Sequence, residues 1–161
     1  MIKILLADDH EPFLKSLRFL LDEAKDIQVV ATASNGEEAV MQACLYLPAV
    51  AILDLAMPLL DGIAVTRQIC QRCPKTRVLI LSISNSSQYV QRAVQAGASG
   101  YLVKDKTGQN LLAAIRAISL GKQVLGDKAE APLRYYSFDN ESNAWDGYVE
   151  ANYFSGEPSQ K

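Results

Sequence analysis

From residue 1 to about 121 the chain alternates two hydrophobic patterns. Short aliphatic or β-branched runs occur at Ile2–Ala7, Ile27–Ala33, Ala49–Leu53, Val78–Ser82 and Gly100–Val103. Such runs, bounded by polar or turn residues, predict buried strands. Between them, roughly residues 12–24, 36–46, 62–73, 86–96 and 107–120 carry apolar positions at helical spacing. In the first of these, Phe13, Leu17, Leu20, Leu21 and Ala24 share one face, and Pro12 suits a first helical position. In the last, Leu111, Leu112, Ile115 and Ile118 line one side and Thr107 is a candidate cap.

Five strands alternating with five helices predict a parallel α/β sheet covered on both faces. Right-handed crossovers leave few topologies. The expected fold is flavodoxin-like: a doubly wound (βα)5 sheet in strand order 2-1-3-4-5, followed by a short C-terminal extension. In such a sheet, ligands bind beyond the carboxyl ends of the strands, where the order switches between the first and third.

The predicted strand ends carry the chemistry. The first strand runs into Asp8–Asp9, the third ends at Asp54, the fourth ends at Ser82, and Lys104 follows the fifth. Three carboxylates brought together repel one another. A hard divalent cation relieves that repulsion, and Mg²⁺ takes a few carboxylate or carbonyl oxygens while keeping several waters. Asp54 is then a candidate nucleophile toward a phosphoryl group, forming an aspartyl phosphate. Mg²⁺ and Lys104 would neutralise the phosphoryl oxygens, and Ser82 would donate a hydrogen bond once the phosphate forms. Tyr101, one strand over, offers a ring that fills the space the hydroxyl vacates, which makes a switch. Read alone, Tyr101 is an ordinary strand aromatic.

Composition narrows the alternatives. The 161 residues are 49% hydrophobic, enough for one well-packed domain. Formal net charge is −2, which gives no basic footprint for nucleic acid, and direct DNA binding by this chain is not expected. No apolar run approaches a membrane span, and the N-terminus shows no signal-peptide pattern, so a cytoplasmic protein with no membrane partner is expected. Cys44, Cys70 and Cys73 suggest no disulfide framework. The C-x-x-C of Cys70 and Cys73 lies on a helical segment with too few further ligands for structural zinc. His10 reads as an exposed loop residue, because phosphoryl transfer needs no protein base here.

The segments "ADDH", "ILDLAMPLLDG", "VLILSIS" and "AGASGYLVKD" together resemble the receiver domain of two-component response regulators, most closely the NarL/FixJ (LuxR-type) group. The resemblance covers residues 1 to about 121. It implies phosphorylation of Asp54 by a histidine kinase or phosphotransfer protein, as part of transcription-regulating phosphorelays. It implies Mg²⁺ held by Asp9 and Asp54, with Asp8 acting partly through water and the Ala56 backbone carbonyl as a further ligand. Ser82 and Tyr101 match the switch pair, and Lys104 the phosphate-binding lysine. It also implies a homodimer or partner contact through the face of the fourth helix, fifth strand and fifth helix, around Val90, Tyr101 and Leu111 to Ile115. Catalysis is limited to self-phosphorylation and self-dephosphorylation at Asp54, so the chain is not an enzyme proper; a small phosphatase using the same carboxylates ranks below this. Many receivers have Lys–Pro where this chain has Lys104–Asp105, which leaves that loop's geometry open. The small Ala56 leaves phosphate lifetime open.

Residues 1–121 thus form the expected receiver domain and 122–161 a linker and tail. Residues 127–161 hold seven acidic and three basic residues, and seven of the chain's twelve aromatics. A helix-turn-helix output domain needs roughly 55–65 residues with a basic recognition helix, and the tail has neither. "LRYYSF" and "GYVEANYF" read as two aromatic strands, with "DNESNAWD" as the turn. A lone hairpin is marginal in water, so a docked hairpin and a disordered remnant stay equally open, and "SGEPSQK" fits disorder. The alternative function is a DNA-binding transcription regulator whose output domain is absent or altered.

Overall fold

The apolar runs are continuous rather than alternating, so their strands must be covered on both faces. The computed structural model of the chain describes residues 1–84, 86–104 and 108–125, and the backbones of two later strands. In chain order the elements are β1 (Ile2–Ala7), α1 (Glu11–Asp22), β2 (Ile27–Ala33), α2 (Gly36–Tyr46), β3 (Val50–Asp54), α3 (Gly62–Arg72), β4 (Arg77–Ser82), α4 (Ser87–Gln95), β5 (Gly100–Val103), α5 (Gly108–Ser119) and β6 (Gln123–Leu125). The two later strands are β7 (Arg134–Asp139) and β8 (Ala144–Val149).

The sheet order is β2-β1-β3-β4-β5-β6-β7-β8. Strands β1 to β6 pair in parallel, which makes the doubly wound flavodoxin-like arrangement read from the sequence. Successive strand residues point to opposite faces. Leu5, Ala51, Leu53, Val78 and Ile80 therefore join Ala39, Ala43, Ile63, Val65 and Ile69 of α2 and α3 in one core layer. Ile4, Leu6, Val50, Ile52, Leu79 and Leu81 join Leu17 and Leu21 of α1, and Leu111, Ile115 and Ile118 of α5, in the other. All five residues of β3 are buried, Asp54 among them.

Local chemistry sets the helix starts. The Asn35 side chain accepts from the Glu38 N–H at 2.8 Å, and Glu38 reaches back to the Ser34 N–H at 2.9 Å. This is a variant of the reciprocal capping box. Asp61 caps α3 by accepting from the Ala64 N–H at 2.8 Å. α1 starts one residue before Pro12, which takes the second helical position. Thr107, the candidate cap of α5, lies outside the described residues, as does Asp105.

Three features go beyond the sequence pattern. Gln123–Leu125, in the stretch read as linker, forms a sixth parallel strand against Gly100 and Tyr101 of β5, with Val124 fully buried. Three residues are too short for a periodic signal; pairing and the core beneath them make the strand. Next, β7 pairs antiparallel with β6, and β8 with β7. The first aromatic strand falls where expected, but β8 begins at Ala144, inside the stretch read as turn.

The third feature is the surface expected for a dimer. Tyr101, Leu111 and Ile115 are fully buried, and β6 occupies the edge of β5. Val90 of α4 and Leu112 and Ala113 of α5 are half-buried, so these residues rather than Tyr101, Leu111 and Ile115 carry the expected contact face. The side chains of Tyr101, Leu111 and Ile115 belong to the core because α5 lies flat on the sheet. Among the described residues, no helix is long and apolar enough to cross a membrane.

Candidate functional site

The rim at the carboxyl ends of β1, β3 and β5 gathers charge. Asp8, just past β1, is 3% exposed and continues the ladder through its N–H to the Ala33 carbonyl at 3.1 Å. Asp54 closes β3. Carboxylate oxygens of Asp8, Asp9 and Asp54 lie within 4.8 Å of one another, with Asp9 exposed and the other two buried. Lys104 follows β5, and its Nζ stands 2.7 Å from Asp8 Oδ2 and 3.2 Å from Asp54 Oδ1. The same ammonium sits 4.5 Å from the centroid of the Phe13 ring, a cation–π contact from the first turn of α1.

Sequence spacing gave Phe13 only a packing role; its place in the helix turn that follows the acid pair was the available hint. The other Asp8 oxygen, Oδ1, accepts from the His10 backbone N–H at 2.8 Å. His10 itself is exposed and starts α1 without a side-chain capping bond.

Burial pushes the Asp54 carboxyl above its ordinary value, and the nearby Asp8 charge adds to that. Lys104 and the Ala56 backbone N–H pull the other way without cancelling it. Burial works against the Lys104 ammonium, but the hydrogen bond to Asp8 and the charge of Asp54 outweigh it and hold its pKa above the usual lysine value. Two buried carboxylates thus share one half-buried ammonium, with the exposed Asp9 carboxylate beside them. An all-oxygen, negatively biased donor set open at Asp9 fits a hard cation such as Mg²⁺.

The loop leaving Asp54 is held by two close approaches. A Cβ on Gly62 would strike the Asp54 carbonyl, and one on Gly36 the Leu60 carbonyl, so both positions need glycine. The Gly62 N–H closes the turn on the Leu55 carbonyl at 2.9 Å.

The second part of the rim lies on β4 and β5. Ser82 ends β4, is 3% exposed, and its Oγ accepts from the Ser84 N–H at 3.1 Å. Tyr101 is packed fully inside, and its hydroxyl donates to the Ser84 carbonyl at 2.8 Å. Burial raises its phenol pKa. Ser84 is therefore the joint between the two side chains. Sequence reading missed it, because one serine in the polar run "SISNSS" carries no distinguishing spacing.

The chain matches the response regulator receiver domain family over residues 4–116. It belongs to that family. The receiver is 32% identical over 157 residues to the transcriptional regulatory protein DegU of Brevibacillus brevis, covering 94% of this chain and 66% of that one. It is 37% identical over 133 residues to the DNA-binding transcriptional activator DevR/DosR of Mycobacterium tuberculosis, covering 83% of this chain and 61% of the relative. The receiver thus spans 61–66% of the length of these two curated relatives. Among solved structures, the receiver domain of NarL from Mycobacterium tuberculosis aligns with a TM-score of 0.72 at 32% identity, covering 74% of this chain and 97% of that one. A LuxR-family response regulator from Aurantimonas aligns with a TM-score of 0.75 at 32% identity, over 79% of this chain and 90% of that one. The receiver is of the NarL/DegU type.

Proposed function

We propose that this receiver is a phospho-accepting switch in a two-component phosphorelay, with Asp54 as the acceptor. The observation that carries this reading is the placement of Lys104 Nζ between Asp8 and Asp54, with Asp9 completing an acidic cluster open to solvent. An Asp54 oxygen attacks the phosphorus of a phosphohistidine on a histidine kinase or phosphotransfer protein. The phosphorus–nitrogen bond breaks, and the imidazole leaves with the electron pair. Lys104 stabilises the charge on the transferring oxygens. Asp8, Asp9, Asp54 and the Ala56 carbonyl would hold Mg²⁺, which supplies charge neutralisation for the phosphoryl group when bound.

The new phosphate recruits the Ser82 hydroxyl proton, while Tyr101 keeps its ring in the core and its hydroxyl on Ser84. That couples phosphorylation to the loop between β4 and α4. With the edge of β5 covered by β6, the readout falls on α4 rather than on an exposed fifth strand. Residues 1–121, extended by β6, are the receiver unit, and the remainder of 122–161 is an appended segment. The chain signals in the cytoplasm and turns over no substrate beyond its own aspartyl phosphate.

Acetyl phosphate with Mg²⁺ should add about 80 Da, one phosphoryl group, to the intact chain, and Asp54→Asn should abolish the gain. A gain that survives in the Asn variant would move the acceptor elsewhere.

A second reading is a DNA-binding transcription regulator with an altered output segment. The 37% identity to a DNA-binding transcriptional activator favours it. Salt-dependent binding of this chain to duplex DNA would support that reading directly.

A further inference from the structure

The C-x-x-C of α3 is split between two environments. The Cys70 Sγ lies 3.5 Å from the Gly97 carbonyl, toward the turn after α4. Cys73, the C-cap of α3, faces the other way, and its Sγ is 3.0 Å from the Sγ of Cys44 on α2, 29 positions earlier. Cys73 is buried and Cys44 half-buried, and all three cysteines are free thiols. A disulfide needs its sulfurs at about 2.05 Å, so this pair requires an approach of only about one ångström.

We propose that Cys44 and Cys73 are a redox-modification site that closes an intrachain disulfide on meeting a small-molecule disulfide such as glutathione disulfide. The half-buried Cys44, as its thiolate, attacks one sulfur of the oxidant. A mixed disulfide forms and one glutathione leaves as thiolate. Cys73 then attacks the Cys44 sulfur, its proton going to solvent, and the second glutathione leaves. The two protein thiols lose two protons and two electrons, and the oxidant's sulfur–sulfur bond takes both electrons. Exposure fixes this order. Burial, with the neighbouring Cys44, pushes the Cys73 thiol up to about 11, so it serves as the resolving partner rather than the first nucleophile.

The bridge encloses β3, Asp54, the loop after it and α3. It sits at the C-terminal ends of α2 and α3, the end of the sheet away from the acidic rim, so no rim residue takes part. A crosslink of this span restricts the unfolded chain and stabilises the segment that carries Asp54.

The test uses the full chain, reduced and then equilibrated with glutathione disulfide before alkylation with a maleimide. The expected product is monomeric, about 2 Da lighter than the reduced chain before alkylation, and then takes up one maleimide, on Cys70. A peptide map should join Cys44 to Cys73, and Tm should rise by roughly 5–10 °C. Cys73→Ser should stop at a stable glutathione adduct on Cys44, and Cys44→Ser should leave Cys73 unmodified. Three maleimides on the treated wild type, a bridge through Cys70, or an intermolecular dimer would each overturn the assignment. Should Cys73→Ser fail to fold, the Cys44→Ser chain and the wild-type map still decide the matter.

Discussion

Two aspartates of this chain each hold a cation, and the consequences are opposite. Asp26 receives two hydrogen bonds from the Arg116 guanidinium, at 2.8 and 2.9 Å, tying the turn before β2 to α5. Its carboxyl is held below the ordinary range, first by that hydrogen bond. Asp54 receives Lys104 at 3.2 Å, yet its carboxyl is pushed above the ordinary range. Side-chain exposure is 47% at Asp26 and 10% at Asp54. At Asp26 water already solvates the charge, and the fork of Arg116 adds to it. At Asp54 water is largely gone, the ammonium is shared with Asp8, and the two carboxylates repel each other. The same pair of charges makes a solvated staple in one place and a desolvated, self-repelling cluster in the other.

The largest effect should come from removing the shared cation. Lys104→Met leaves two buried carboxylates with no ammonium between them. We expect a loss of about 2–3 kcal/mol of unfolding free energy in metal-free buffer, measured by urea denaturation at pH 7. An unchanged midpoint would mean that Asp8 and Asp54 are better solvated than their burial indicates.

Neutralising the strained partner should act with the opposite sign and less strongly. Asp54→Asn should raise stability by about 1 kcal/mol at pH 7 without metal, since it removes the repulsion with Asp8 and a partly desolvated charge. The raised folded pKa means that the native state holds its proton where the unfolded chain has lost it. Stability contributed by this group is therefore present at low pH and is lost as pH rises through the folded pKa. The slope of stability against pH just above the unfolded value of 3.8 should be negative from Asp54 and vanish in the Asn variant.

Asp26→Asn should have the smallest effect, well under 1 kcal/mol, because the pair is exposed and screened. Its folded pKa is depressed, so its contribution is present above the unfolded value of 3.8 and lost as pH falls through the lower folded value. Thermal melts at pH 2 to 5 should show opposite changes in slope for the two Asn variants. Like-signed changes would erase the contrast between the regions.

Much of the fold was legible because helix and strand periods are local. β1, β2 and β5 coincide with the aliphatic runs, and the helices fall within two residues of their periodic segments. The short β6 and the start of β8 were not legible, since both depend on a neighbouring strand's backbone rather than on their own pattern. The candidate site was legible as a set of strand ends. Its inner contacts were not: the Phe13 ring under Lys104, Ser84 between Ser82 and Tyr101, and the His10 N–H on Asp8 all come from loop paths that periodicity does not encode.

The sequence alone determined which chemical groups stand at the carboxyl ends of the strands, because the alternation of patterns dictates a parallel sheet and the sheet dictates its rim. Tertiary structure decided what those groups experience. Burial and shared partners, which depend on residues up to 96 positions apart such as Asp8 and Lys104, set the direction of each carboxyl's titration. Burial and partners also sent the two halves of one C-x-x-C to different neighbours and put Tyr101 and Leu111 in the core rather than on a docking face.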